Sequence, residues 1–441
     1  MQSNSSEPVT IIGGGLAGAE AAWQLVQRRR PVRLIEMRPK RKTPAHETGY
    51  LAELVCSNSL RSKEQHSAAG LLKEEMLLLN SLIISTAYET EVPAGKALAV
   101  NRQKFARAVT ERLEQNPLVE IIREEVKGLP PPGDTPTIVA TGPLTSAALA
   151  EDLARFTGRK HLAFYDAIAP IVYKESLNMD IVYAKSRYTE GPGDYLNCPM
   201  NREEYLAFIA ELHNAEYVPL KDFEEVAYFE GCLPVEVLCG RGEDTLRFGP
   251  MKPVGLADPR TGKEPYAVVQ LRMENRQGST YNMVGFQTKL TYAEQQRIFR
   301  RIPGLEKVEF ARLGSIHRNT FLTSPALIGQ SLQFKSRPDL LLAGQITGVE
   351  GYIESAALGL LAGINAARIA EGREVAPPPP ETAMGALVQH ITKSESKHFQ
   401  PSNINFGLFP AWKTKVKKRE RGRLRATKAI EAIRQWQQRY T

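Results

Sequence analysis

The stretch AELVCSNSLRS sets one thiol, Cys56, among polar residues, with Arg61 after it and His46 and His66 to either side. A cysteine turns nucleophilic when a nearby cation or imidazole lowers its pKa, and is inert when buried among apolar groups. The local sequence leaves both readings of Cys56 open. Cys232, in YFEGCLPVEV, follows Gly231 at what reads as the end of a strand and is a second candidate. Cys198 in YLNCPM and Cys239 in EVLCG have less around them to suggest chemistry. These four cysteines form no C-x-x-C pair and no Cys/His cluster at zinc spacing, which argues against a disulfide framework and a structural metal.

The second pattern with chemical content is glycine-based. Gly13, Gly15 and Gly18 fall in a G-x-G-x-x-G spacing, in the run Gly13, Gly14, Gly15, Leu16, Ala17, Gly18. Such spacing gives a tight turn, close approach of backbone to a pyrophosphate, and close packing of helix on strand. The motif means this only between a strand and a helix. VTII at 9–12 reads as the strand, AEAAWQLVQRR as the helix, and VRLIE at 32–36 as the next strand. Glu36 closes that strand eighteen residues after Gly18, where an acid binds an adenosine ribose. A dinucleotide site at the head of a doubly wound α/β domain follows.

Two later segments favour FAD over NAD. TIVATGP at 137–143, which contains Gly142, resembles the ATG motif of two-segment flavoproteins. DLLLAGQITGVEGYIESAALGLLAGINAARIA at 339–370 is an apolar strand, a glycine-rich loop and a long small-residue helix. It resembles the second flavin-contacting motif of such proteins, and puts Gly344, Glu350, Gly351 and Tyr352 against the cofactor. Gln345 stands where many flavoproteins place an acid. A nicotinamide cofactor, with no second embedded glycine motif, is expected to visit rather than reside.

A cofactor domain opened at residue 9 and closed after residue 340 must carry an insertion. The expected architecture is a Rossmann-like α/β FAD-binding domain with a mixed α+β insertion domain. The first part covers 1–165, the insertion 166–317, the second part 318–376, and a linker with a basic segment 377–441. Strand-like runs YAVVQLRM and YNMVGFQT fall inside the insertion, and PPPPE at 377–381 reads as linker. The composition, 42% hydrophobic, is ordinary for a globular chain. MQSNSSEPVT has no basic leader, and the apolar run after it breaks at Gly13, so no signal peptide, no membrane span and a cytoplasmic location are expected. The net charge of +8 is a C-terminal property: eleven Lys and Arg between Lys413 and Arg439 face only Glu420 and Glu431. Most of these cations are placed ahead of a final helix whose Ala429, Ile433, Trp436 and Tyr440 form one packing stripe. Segment 413–439 is thus a candidate polyanion contact.

The runs IIGGGLAGAEAAWQL, EMRPKRKTPAHETGYLAELVCSNSL, FEGCLPVEVL, FGPMKPVGLADPRTGKEPYAVVQLR, HRNTFL and GVEGYIESAALGLLAGINAAR resemble the folate- and FAD-dependent tRNA uracil-5 methyltransferases, the TrmFO family. The resemblance runs in order from residue 9 to about 410, and EMRP, VCSNSL and FGPMKPVGL set it apart from the related MnmG/GidA enzymes. It implies methylation of C5 of uridine 54 in the tRNA T loop. The implied carbon donor is 5,10-methylenetetrahydrofolate, and the implied reductant is FAD reduced by NAD(P)H. It also implies that Cys56 and Cys232 are the catalytic pair. Uracil C5 is a poor nucleophile until a thiolate adds at C6, and a base must later remove the C5 proton. No obligate protein partner is implied. The same chemistry on a ribosomal RNA uridine, or a flavin oxidoreductase acting on a small substrate, are the alternative readings.

Overall fold

In the computed structural model the described residues are 7–158, 162–189, 191, 193–219, 233–397, 399–412, 417 and 420–441, with backbone only for 162–166, 317 and 318. Cys232 and the basic residues 413, 415, 418 and 419 lie outside them. The first sheet runs Gln333–Phe334, Arg337–Leu342, Thr137–Val139, Val9–Ile12, Val32–Ile35, Val119–Ile122. All neighbours are parallel except the Gln333–Phe334 edge. Ile11 stands opposite both Leu34 and Ile138, and Ile138 opposite Leu341, so segments more than 300 residues apart in the chain share one register. The central strands Val9–Ile12 and Thr137–Val139 are nearly all buried, whereas Arg33 and Glu120, on the two strands towards the edge, pair on an exposed face.

The strand order is held by one close helix crossing. Helix Leu16–Gln27 meets helix Tyr352–Ala370 backbone to backbone. A Cβ on Gly359 would sit 2.1 Å from the Ala17 carbonyl oxygen, and one on Gly363 would sit 2.6 Å from that of Ala21. This explains the small-residue composition of the second helix. By length and composition that helix could cross a membrane, but 89% of its apolar window is buried inside the protein.

The second sheet is antiparallel, in the order Tyr183–Ala184, Tyr195–Met200, Ala267–Met273, Thr280–Met283, Ile171–Tyr173, Phe310–Arg312. It has its own core, with Phe208, Phe286 and Phe299 packed ring against ring. Strands Leu162–Ile168 and Ser315–Phe321 pair antiparallel and carry the chain into and out of this unit. Only the first three residues of YNMVGFQT are strand, as part of Thr280–Met283; the chain then turns away at Gly285.

One unit is not foreshadowed by any motif or periodicity in the sequence. Between Val32–Ile35 and Val119–Ile122 the chain builds a three-stranded sheet, Ser59–Ser62, Ala97–Val100 and Glu91–Val92, with helices Ala68–Leu78 and Leu82–Glu89. Cys56 lies at its entrance.

The C-terminal segment is fastened to the first core: Ala383, Leu387, Ala429, Ile433 and Trp436 are buried in it. Trp436 Nε1 donates to the Ala376 carbonyl at 3.0 Å, and Gln437 to that of Leu78 at 2.6 Å. The last helix starts at Arg421, earlier than its apolar stripe suggests, so six of the eleven basic residues lie on it rather than ahead of it. Leucine, alanine and arginine in RGRLRA favour helix and no proline follows residue 410; Gly422 costs about 1 kcal/mol there, but only a residue without a Cβ can pass the His66 carbonyl.

Candidate functional site

The glycine run does three separate jobs. Gly13 has φ +105, a region closed to side chains, and a Cβ there would meet the Ala140 carbonyl oxygen at 2.6 Å. A Cβ on Gly18 would lie 1.8 Å from the Gly13 carbonyl oxygen, so the helix can approach the strand only without one. Gly15 is different, because nothing lies within 4 Å of a Cβ built there. It caps helix Leu16–Gln27 and offers no side-chain cap, which leaves the first turn to serve an outside acceptor.

That first turn borders an open cleft with about 970 Å³ of empty space. Of the twelve cofactor candidates, Gly13, Gly15, Leu16, Ala17, Glu36, Gly142, Gly344 and Tyr352 line the cleft. Gly14, Gly18, Glu350 and Gly351 are not among its lining residues. Glu36 accepts the Gly14 N–H at 2.8 Å and, on its other oxygen, the Arg38 backbone N–H and Nε at 3.0 and 2.9 Å. Burial opposes its ionisation, but the hydrogen bonds and charge of Arg38 prevail and hold the carboxyl below its usual range. The acid therefore fixes the glycine loop and presents a charged edge to the cleft. Gly142, with open space around it, faces the same cleft from Thr137–Val139. Gln345 also lines the cleft and donates to Glu350 Oε2 at 2.7 Å, so an acid stands one residue behind the position where the motif lacks one. An uncapped helix end, an open glycine and a ribose-distance acid, all on one wall, fit the adenosine and pyrophosphate of a dinucleotide.

Val55 and Tyr352 also line the cleft. Gly351, at φ +109, turns the chain so that Tyr352 opens its helix. The Tyr352 hydroxyl accepts the N–H groups of Cys56 and Ser57 at 2.9 and 3.1 Å, and the Cys56 Sγ is 3.0 Å away. A phenol oxygen has two lone pairs, and both are used, so its own proton points at the sulfur. Burial first, and the adjacent thiol second, push the Tyr352 pKa well up, which keeps that proton in place. The half-buried Cys56 thus receives a hydrogen bond suited to a thiolate.

The cations around Cys56 are not those its neighbouring sequence suggested. Arg61 is engaged with Glu354 at 2.7 Å, His46 Nδ1 with Thr43 Oγ1 at 2.6 Å, and the backbone of His66 packs under Gly422 of the last helix. Arg102 instead reaches the thiol's own loop. Arg272, from the second sheet, donates to Asn58 Oδ1 at 2.9 Å and Ser57 Oγ at 2.8 Å, while Asn58 donates to the Met273 carbonyl at 2.8 Å. The loop carrying Cys56 is therefore the seam between the two sheets. Cys198 and Cys239 are buried; burial, and secondarily an acid, push their thiols up, to about 11 for Cys239. Neither is poised to react. Among the described residues no group of His, Cys, Asp and Glu could hold a metal.

The fold and cleft define an α/β dinucleotide-binding protein with a thiol hydrogen-bonded to a tyrosine of the cleft's lining. The family model for glucose inhibited division protein A matches residues 8–374. The chain is 66% identical to the methylenetetrahydrofolate–tRNA-(uracil-5-)-methyltransferase TrmFO of Desulfotalea psychrophila, over 99% of this chain and 98% of that one. It is 58% identical to the protein of the same name from Pelotomaculum thermopropionicum, over 96% and 97%. The structure of Aquifex aeolicus GidA superposes with a TM-score of 0.72 at 17% identity, covering 99% of this chain and 74% of that one, and so shares the fold. The chain belongs to the TrmFO family, a flavoprotein branch of the GidA group.

Proposed function

We propose that this chain methylates C5 of uridine 54 in the tRNA T loop, with 5,10-methylenetetrahydrofolate as carbon donor and NAD(P)H as the source of electrons. The observation that carries the reading is the Cys56 thiol, hydrogen-bonded to Tyr352 in the lining of a dinucleotide cleft. The match to relatives bearing that activity in their names supports it. Gly13, Gly14, Gly15, Leu16, Ala17, Gly18 and Glu36 hold the adenosine and pyrophosphate of FAD, and Gly142, Gly344, Glu350, Gly351 and Tyr352 its remaining length. Bound FAD passes on the reducing equivalents that turn a one-carbon unit at the formaldehyde level into a methyl group.

Cys56 and Cys232 divide two tasks on uracil: addition at C6, which makes C5 nucleophilic, and removal of the C5 proton. Tyr352 keeps the Cys56 sulfur oriented and stabilises its anion. For tRNA, the last helix buries Ala426, Ala429, Ile433 and Trp436 and turns Arg421, Arg423, Lys428, Arg434 and Arg439 outward. This cationic face suits a phosphate backbone, and shape and phosphate contacts then carry recognition. A tRNA substrate supports a cytoplasmic location.

The test uses T-loop RNA with 5-fluorouridine at the target position, together with the folate donor and NADPH. Fluorine replaces the proton that must leave, so a covalent protein–RNA adduct accumulates on Cys56 or Cys232 and is located by mass spectrometry. An adduct with a ribosomal RNA transcript and none with the T loop moves the target. No adduct with either, alongside normal flavin reduction by NADPH, overturns RNA methylation in favour of a small-substrate oxidoreductase.

A further inference from the structure

The guanidinium of Arg102 is shared between two units of the fold. Arg102 opens helix Arg102–Glu114, which Asn101 caps. Its Nε and Nη2 meet the two carboxylate oxygens of Glu274 at 2.7 and 2.9 Å. Its Nη1 donates to the carbonyls of Leu54 and Val55 at 3.1 and 3.3 Å, and Nη2 comes within 3.5 Å of the Cys56 carbonyl. Three consecutive peptide units before and at the thiol are thus fastened by one planar fork. Glu274 follows strand Ala267–Met273 of the second sheet, so its carboxylate reaches Arg102 from the other unit. Both partners are nearly enclosed, with side chains 13% and 8% exposed.

A buried ion pair of this kind adds little net stability over an apolar pair of the same shape. What the pair does supply here is geometry and a local field. A lysine could deliver the charge of Arg102 but not a fork that reaches three carbonyls and a carboxylate together. We propose that Arg102 is the positioning residue of the Cys56 thiol: it fixes the backbone of residues 54–56, and its charge, balanced by Glu274 from the second sheet, sets how readily the sulfur ionises. The inference rests on reading Cys56 as the reactive thiol.

Several other charged or titratable groups belong to the same neighbourhood. The Tyr352 phenol touches the sulfur. Arg272 holds Ser57 and Asn58 from the second sheet. Arg312, also from that sheet, lies near enough for the Arg102 charge to act on it, and its Nε and Nη2 are buried without a hydrogen-bond partner. The Arg61 and Glu354 pair lies across the loop, on Ser59–Ser62 and the Tyr352 helix. Of these groups only Arg102 binds the carbonyls of the thiol's own loop, and only Glu274 neutralises it by direct contact. Beside the direct hydrogen bond from Tyr352, the charge balance around the thiol's loop is therefore set by these two residues.

The prediction has opposite signs for the two partners. Glu274→Gln leaves the Arg102 charge uncompensated and favours the thiolate; Arg102→Met removes the cation, leaves Glu274 behind and disfavours it. The charges of Arg102 and Cys56 act on each other, and removing one opposite charge that acts on a thiol changes its ionised fraction by about tenfold. The experiment follows alkylation of Cys56 by iodoacetamide against pH, on the full FAD-loaded chain, with the labelled peptide quantified by mass spectrometry. Below the midpoint Glu274→Gln should react about tenfold faster than wild type and Arg102→Met about tenfold slower. Arg102→Lys should keep the wild-type midpoint while amide exchange rises in residues 52–58. Shifts in the same direction for both variants, as simple loosening of the loop would give, overturn the proposal. So does a lowered melting temperature with unmoved midpoints. If Arg102→Met does not fold, Glu274→Gln alone decides, since an unchanged or slowed rate there is enough to reject. Alkylation requires no RNA, so a failure here leaves the methylation reading standing, and loss of that reading leaves this one.

Discussion

Tyr352→Phe removes one oxygen atom and nothing else from the site, and its consequences can be worked from three distances. The hydroxyl accepts the N–H groups of Cys56 at 2.9 Å and Ser57 at 3.1 Å and faces Sγ at 3.0 Å. Each stranded N–H costs about 1–3 kcal/mol in a dry site. The loop is only half-buried, so water recovers part of that, and a loss of about 2–4 kcal/mol for the pair is expected. If loop opening controls amide exchange, that is a gain of about 30- to 700-fold in the exchange rate of residues 56 and 57, at 1.4 kcal/mol per factor of ten. The lost O–H to sulfur bond is charge-assisted in the thiolate form and worth about 1.5–3 kcal/mol. Cys56 alkylation at a pH below its midpoint should then slow by about 10- to 100-fold. Hydrogen exchange with peptide mass spectrometry reads the first effect, and pH-resolved alkylation the second. Exchange unchanged in residues 52–60, together with alkylation as fast as wild type, would refute the reasoning, because both effects come from the same oxygen.

Two glycines of the cofactor loop should separate folding from binding. Gly18→Ala drives a methyl group to within 1.8 Å of a backbone oxygen and should lower both the melting temperature and FAD retention. Gly15→Ala meets open space and should fold as wild type while retaining less FAD, which absorbance after gel filtration will show. Lys73 donates to the Leu60 carbonyl at 2.9 Å; burial, against the pull of Glu354, lowers its amine to about 7. Between that value and the unfolded pKa of about 10.4 the native state binds fewer protons than the unfolded one, so stability rises with pH through this window, and the charging penalty is complete below it. The urea midpoint of Lys73→Met, less that of wild type, should accordingly fall as pH is raised from about 6 to about 10, and a constant difference would contradict the assignment. Reversing Arg423, Lys428 and Arg434 to Glu should weaken tRNA binding and flatten its logarithmic salt dependence by about one for each phosphate no longer neutralised. An unchanged slope in fluorescence anisotropy across salt concentrations would remove the last helix from the RNA surface.

What the sequence disclosed and what it withheld divide by physical range. The glycine loop was legible because its turn and its helix packing are decided within about twenty residues, by groups adjacent in the chain, even though Gly13 also passes the distant Ala140 carbonyl. The second cofactor segment was legible for the same reason: DLLLAGQITGVEGY carries its strand, turn and helix start in one run. The surroundings of Cys56 were not. Its hydroxyl partner is 296 residues away, and Arg272 lies 215 residues from Ser57, pairings that no local periodicity encodes. Arg61, His46 and His66 were plausible neighbours only because they are close in sequence, and the strand Ser59–Ser62 carries Arg61 across to Glu354 instead. The basic tail shows the intermediate case. Its charge and its apolar stripe were both visible, but where the helix starts was not, because arginine and lysine are as compatible with helix as with a solvated linker. Gln345 marks the limit from the other side. It read as the loss of an acid from the flavin motif, yet Glu350, five residues on, binds its amide through the turn at Gly348. A motif records which residue occupies a position, whereas the site requires only that charge reach a place, and the chain can meet that requirement from a neighbouring turn.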